Sequence, residues 1–181
     1  ELLRDMRAMK FNLKFFGYEL AKRIAETLPP MASRGPSRID LESKASTQAD
    51  LEADWSRHWS GELQIAHIFH RKVWELAYVL QAIWQLGGMQ PGKSGLGFGC
   101  GEEPIASYLA AQGCRITVTD LAPTDARTAG WAATHQVASL DRAFKSEFLS
   151  REDFDARVGF RAMDMVALPQ DLGSHDFCWS I

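Results

Sequence analysis

Apolar residues near the start of the chain recur at helical spacing: Leu13, Phe16, Leu20 and Ile24 follow at steps of three and four, with Lys10, Lys14, Lys22 and Arg23 among them. The pattern predicts an amphipathic helix over Leu2–Leu28, closed by Pro29-Pro30. Phe11, Phe15 and Tyr18 beside the basic residues fit a helix docked on a core, or one that lies on a membrane surface or covers a substrate. Residues Met31–Asp50, with Gly35, Pro36 and several serines, show no period and read as loop. A second helical pattern, carried by Ile65, Phe69, Val73, Leu76, Leu80, Ile83 and Trp84, predicts a long helix over Glu62–Leu86, stopped by Gly87-Gly88.

Beyond residue 88 the texture changes from helical to alternating. Short apolar runs at Leu96–Gly99, Arg115–Thr119, Val158–Arg161 and Phe177–Ile181 predict strands. Helical patterns lie between them at Ile105–Gln112 and Thr124–Phe144, and Ser150 with Asp153 marks the cap of a further short helix. Alternating β and α elements with short connections predict an α/β fold, a parallel sheet layered with helices in the Rossmann-like manner. The division expected is a helical N-terminal extension, 1–88, and a Rossmann-like domain, 89–181.

Two glycine motifs overlap at the junction. Gly87-Gly-Met-Gln-Pro-Gly-Lys-Ser94 matches the phosphate-loop pattern G-x-x-x-x-G-K-[ST]. That loop needs a strand before it and a helix immediately after, so that free backbone N–H groups and the lysine converge on phosphate. Here the order is helix, loop, strand, and the segment reads as a helix stop and a Pro91-Gly92 turn. The second motif, Gly97-Phe98-Gly99-Cys100-Gly101, has the productive order of strand, glycine turn and helix, with Pro104 suited to the helix's first turn. The next strand ends in Asp120, about twenty residues further on, where an acceptor-only carboxylate can take both hydroxyls of a ribose. A dinucleotide loop wants glycine at 102; Glu102 and Glu103 instead repel a pyrophosphate and attract a cation.

The 181 residues carry a net charge of −3 and 46% hydrophobic residues, enough for a buried core and without the basic surplus of a nucleic-acid binder. Cys100, Cys114 and Cys178 form no C-x-x-C pair, which fits a reducing, cytoplasmic setting and neither a disulfide framework nor a zinc site. His67 and His70, three apart on the expected second helix, lack a third ligand at a recognised spacing, so no metal is expected. No apolar run approaches the ~20 residues of a membrane span.

Leu96–Gly101 followed by Ile116-Thr-Val-Thr-Asp120-Leu-Ala-Pro123 resembles the first two motifs of the class I S-adenosylmethionine-dependent methyltransferases. The likeness runs from Lys93 to Ile181, with Asp164-Met165 after the third strand and Asp176–Ser180 as the fourth. It implies S-adenosylmethionine as cofactor, held by Gly97, Phe98, Gly99, Cys100, Gly101, Asp120, Leu121, Asp164 and Met165. Asp120 would take the ribose hydroxyls, the glycine loop would lie under the methionine part, and Leu121, Asp164 and Met165 would lie near the adenine. The family usually has an acid where this chain has Gly97 and often a glycine where it has Glu103, so Glu102 or Glu103 becomes the candidate for the cofactor's ammonium group.

The resemblance also implies sheet order 3-2-1-4, four of the family's seven strands. The fourth strand would then be an exposed edge able to pair with a second copy, and the run that stops at Ile181 reads as a truncated domain. The acceptor expected is a small molecule or glycan, not nucleic acid, and no residue is singled out as catalytic, although His135 and Asp164 are ionisable. The alternatives are a nicotinamide-nucleotide oxidoreductase and a non-catalytic interaction module.

Overall fold

The computed structural model describes residues 2–27, 35–122 and 139–181. The prolines at 29 and 30, Pro123, His135 and most of the helix expected over Thr124–Phe144 lie outside the described residues. The chain divides into two compact units, residues 1–77 and 78–181.

In the first unit, helix α1 covers Leu2–Thr27. An irregular stretch, 35–47, leads to α2, Gln48–Glu52. A capping box starts α2: Thr47 Oγ1 accepts the Asp50 N–H at 3.2 Å and Asp50 Oδ2 accepts the Thr47 N–H at 3.3 Å. Helix α3, Asp54–Glu62, buries Trp55 and Trp59 one turn apart. Burial alone would raise the Asp50 pKa, but Lys44 Nζ at 2.8 Å and the Thr47 donors outweigh it and hold the carboxyl below its ordinary value. Trp74 Nε1 donates to the same carboxylate at 3.2 Å.

The long helix expected over Glu62–Leu86 is not continuous. Helix α3 stops at Glu62 and α4 begins at Arg71 and runs to Gln85. Gln64 takes the left-handed conformation at φ 53°, the Gln64 N–H reaches Gly61 O at 3.0 Å and the Ile65 N–H reaches Ser60 O at 3.1 Å. Those two bonds form a Schellman stop, with glutamine in the place glycine usually holds. His67 then crosses back over α3, with Nε2 2.6 Å from Leu51 O and Nδ1 3.0 Å from Ser60 Oγ. His70 Nδ1 accepts the Lys72 N–H at 3.1 Å and so caps α4. The two histidines do not share a helical face, and each is held by local structure.

In the second unit, the end of α4 is a regular Schellman stop: Gly87, at φ 79°, donates to Trp84 O at 3.0 Å and Gly88 to Ile83 O at 2.8 Å. Strands β1 (Ser94–Phe98), β2 (Arg115–Asp120), β3 (Val158–Ala162) and β4 (Phe177–Ser180) form one all-parallel sheet in the order β3-β2-β1-β4. The fold is Rossmann-like α/β, and the strand order is the one the sequence led us to expect. Helix α5, Ile105–Ala111, packs on β2 and β3 with residues 105–110 buried. Among the described residues two short helices follow, α6 (Leu140–Ala143) and α7 (Arg151–Arg157), and α7 also packs on α5. The expected cap is present, Ser150 Oγ accepting the Asp153 N–H at 3.1 Å.

Glycines in β1 are matched by rings in β4. Gly95 pairs with Phe177 and Gly97 with Trp179, and a Cβ at either glycine would come within 2.5 Å of the partner's ring. The small residues of one strand thereby seat the large residues of its neighbour.

Candidate functional site

In a parallel α/β sheet, ligands bind beyond the carboxyl ends of the strands where successive connections part to opposite sides. The order β3-β2-β1-β4 puts that switch point between β1 and β4. Phe98 ends β1 there, in register with Thr119 and Ser180. The chain then turns through Gly99 at φ 61° and Gly101 at φ 51°, left-handed conformations that side-chain-bearing residues rarely take. A Cβ at Gly99 would meet nothing nearer than Met165 Cε, 3.8 Å away, so the main chain is laid bare at this point.

Thr119 fixes this turn, and the sequence reading did not single it out. Its carbonyl accepts the Gly99 N–H at 2.9 Å and the Cys100 N–H at 3.3 Å, while its hydroxyl donates to Gly97 O at 2.8 Å. Thr119 is buried. The signal available was its place: a hydroxyl at a buried strand position needs a partner, and the neighbouring strand end is the nearest source.

Asp120 follows, half-buried, its Oδ1 accepting the Leu121 N–H at 2.8 Å, which sets the plane of the carboxylate. The Asp120 carbonyl accepts the Met163 N–H at 2.7 Å and draws the exit of β3 alongside. Beyond Met163, Asp164 Oδ1 accepts the Val166 N–H at 2.9 Å, leaving Met165 exposed and facing the Gly99 turn. The glycine loop, Asp120 with Leu121, and Asp164 with Met165 thus lie at one end of the sheet.

Cys100 is buried, and its thiol pKa is pushed up to about 12, first by burial and further by the Glu103 and Asp120 carboxylates, against a lowering by the Thr119 backbone. Both carboxylates therefore act on the centre of the loop. Glu102 points elsewhere and pairs with Arg142 on α6 at 2.8 Å. Of the two acids weighed for a cationic ligand group, Glu103 is the one beside the turn.

Gly97, where the family resemblance led us to expect an acid, has no room for one. A Cβ at Gly97 would lie 2.5 Å from the Trp179 ring and nearer still to Cys100 Sγ. The phosphate-loop match is equally committed elsewhere: Lys93 Nζ and the Ser94 N–H each donate to Asp176 at 2.8 Å, and Ser94 Oγ donates to it at 3.0 Å. Strand β1 starts at Ser94, where a phosphate loop would start a helix.

Among the described residues, no group of three His, Cys, Asp or Glu side chains is placed to hold a metal ion. No described helix is long and apolar enough to cross a membrane. No family model, curated protein or solved structure matches the chain.

Proposed function

We propose that the chain binds S-adenosylmethionine over the glycine turn, at the carboxyl ends of β1 and β2, and directs its methyl group to a small-molecule or glycan acceptor. The observation that carries this reading is the bare turn at Gly99–Gly101, clamped by Thr119 beside the sheet's switch point, with Asp120 ending the adjacent strand. The residues suit that ligand. Asp120 is acceptor-only, with about four lone-pair positions on its carboxylate, and a ribose diol needs two acceptors. Glu103 beside the loop favours the cationic methionine end and opposes the pyrophosphate of a dinucleotide. Leu121 and Met165 offer apolar surface to a purine, and Asp164 a polar edge.

Bound there, the cofactor supplies a methyl group activated by its sulfonium, and transfer depends chiefly on alignment. This chain's part is to hold the adenosyl group through Asp120, to present the loop backbone without side-chain obstruction, and to keep the Cys100 thiol protonated and out of the chemistry. A net charge of −3 argues for a neutral or cationic acceptor over a polyanion.

Calorimetric titration with S-adenosylhomocysteine, NADH and ATP tests the reading. Binding of the first alone is expected, weakened about tenfold or more by Asp120→Ala, since a hydrogen bond to a charged group is worth about 1.5–3 kcal/mol. Preference for NADH, or affinity unchanged in Asp120→Ala, would overturn it.

A further inference from the structure

Helix α1 carries an apolar stripe. Met6, Met9, Leu13, Phe16, Leu20 and Ile24 succeed one another at steps of three and four, and on a helix of 3.6 residues per turn they fall within an arc of about 80°. Each is between 44% and 74% exposed. The helix rests on its own unit by another side: Gly17, Tyr18 and Ala21 line a cleft with Ile68 and Phe69, and the Tyr18 ring meets His70 edge-on at 6.4 Å. Leu20 and Ile24 border a second cleft beside Thr47 and Leu51. Toward the N-terminus from Gly17 the stripe faces outward.

Charge identifies what covers it. The helix holds six cations, Arg4, Arg7, Lys10, Lys14, Lys22 and Arg23, against Asp5, Glu19 and Glu26, a surplus of three positive charges. The whole chain carries −3, so everything outside the helix carries −6. A second copy of α1 suits the stripe poorly. As a coiled-coil seam it ends when the next core position falls on Arg23, short of the three to four heptads such a seam requires, and pairing would set two surpluses of like charge together.

We infer that α1 docks the protein on a membrane surface rich in anionic lipid. The stripe from Met6 to Leu20 enters the boundary between headgroups and acyl chains, while Lys10, beside the stripe, reaches lipid phosphates on its flexible stem and the other cations of the helix add to the attraction over longer range. The acidic remainder of the chain is repelled by the same surface, which leaves α1 as the point of attachment. This docking is independent of what the glycine loop binds.

Flotation of the full chain with vesicles tests it, comparing phosphatidylcholine alone with phosphatidylcholine containing phosphatidylglycerol. The protein floats with the anionic vesicles and not the neutral ones, and raised salt weakens the association. Leu13→Glu with Phe16→Glu abolishes flotation while circular dichroism stays unchanged. Lys10→Ala with Lys14→Ala leaves the stripe intact and lowers partition about twenty-five-fold, near fivefold for each cation. Failure to float with anionic vesicles, or equal flotation with neutral ones, overturns the inference. So does a dimer in sedimentation velocity that the Leu13→Glu, Phe16→Glu variant dissolves without any vesicle binding, because the stripe would then belong to a second copy.

Discussion

Cys100 Sγ occupies the space into which a side chain at Gly97 would project. One residue has been emptied and another, three positions on, has filled the volume, with the Trp179 ring closing the far side. An acid at 97 is thereby excluded on steric grounds, and the negative charge of the loop comes from Glu103 and Asp120.

Gly97→Ala should cost about 1–3 kcal/mol, the usual range for forcing an extra carbon into a filled core. Cys100→Ala in the same chain should return part of that loss and not all, because the Trp179 ring stays in the way. Urea denaturation of the two single variants and the double variant measures the coupling. Strictly additive effects would mean that the sulfur does not fill the site.

Asp176 ties the start of β1 to the start of β4, and Lys93, Ser94 Oγ and the Ser94 N–H all converge on it. The hydrogen bond from Lys93, followed by those from Ser94, holds its carboxyl well below the ordinary 3.8. A lowered carboxyl pKa stabilises the fold above the unfolded value, and that contribution is lost as pH falls below 3.8 toward the folded one. Asp176→Asn should therefore lower the melting temperature at neutral pH, and the gap from the parent should close under acid conditions. A gap that persists unchanged below pH ~3 would show that Asp176 acts through shape and not charge.

His67 gives the opposite end of the scale a separate signal. Burial first, and Arg57 second, hold its pKa below the ordinary 6.5, although its bond to the Leu51 carbonyl pulls upward. The unfolded chain then takes up this proton before the folded one, so stability is complete above pH 6.5 and falls on acidification through that value. His58 is lowered chiefly by burial and adds in the same direction. The melting temperature should drop from pH 7.5 to 5.5, and His67→Gln should flatten that drop at some cost in stability at pH 7.5. A profile flat over this range in the parent chain would refute the assignment.

Alternation carried the strands: all four runs were legible, since each is short, rich in apolar residues and bounded by turn residues, while their order was what the resemblance to the methyltransferases implied. The glycine turn and Asp120 were legible for the same reason, because the ends of those strands are where such residues have chemical use. The break between α3 and α4 was not, since Gln64 has no intrinsic claim to a left-handed conformation. It is held there by Ser60 O, Gly61 O and the return of His67, bonds that depend on the fold being formed. Thr119 escaped notice because its role lies in two carbonyl bonds and one hydroxyl bond across strands, which spacing along one strand does not reveal. The filling of Gly97 by Cys100 is likewise a relation between a strand and the turn after it.

The three thiols provide a final check on the site. Cys100 and Cys114 are buried, Cys178 is exposed on the edge strand β4, and no two are joined. With its pKa pushed up to about 12 by burial, Cys100 stays a thiol at pH 8, and the thiolate is the nucleophile. Burial also raises the Cys114 thiol. Iodoacetamide at pH 8 should modify Cys178 alone in the native protein, as read by peptide mass spectrometry, and all three after denaturation. Modification of Cys100 in the native state at a rate near that of Cys178 would mean that the turn opens away from Thr119, and a turn that opens so readily would not offer a fixed backbone surface to a ligand.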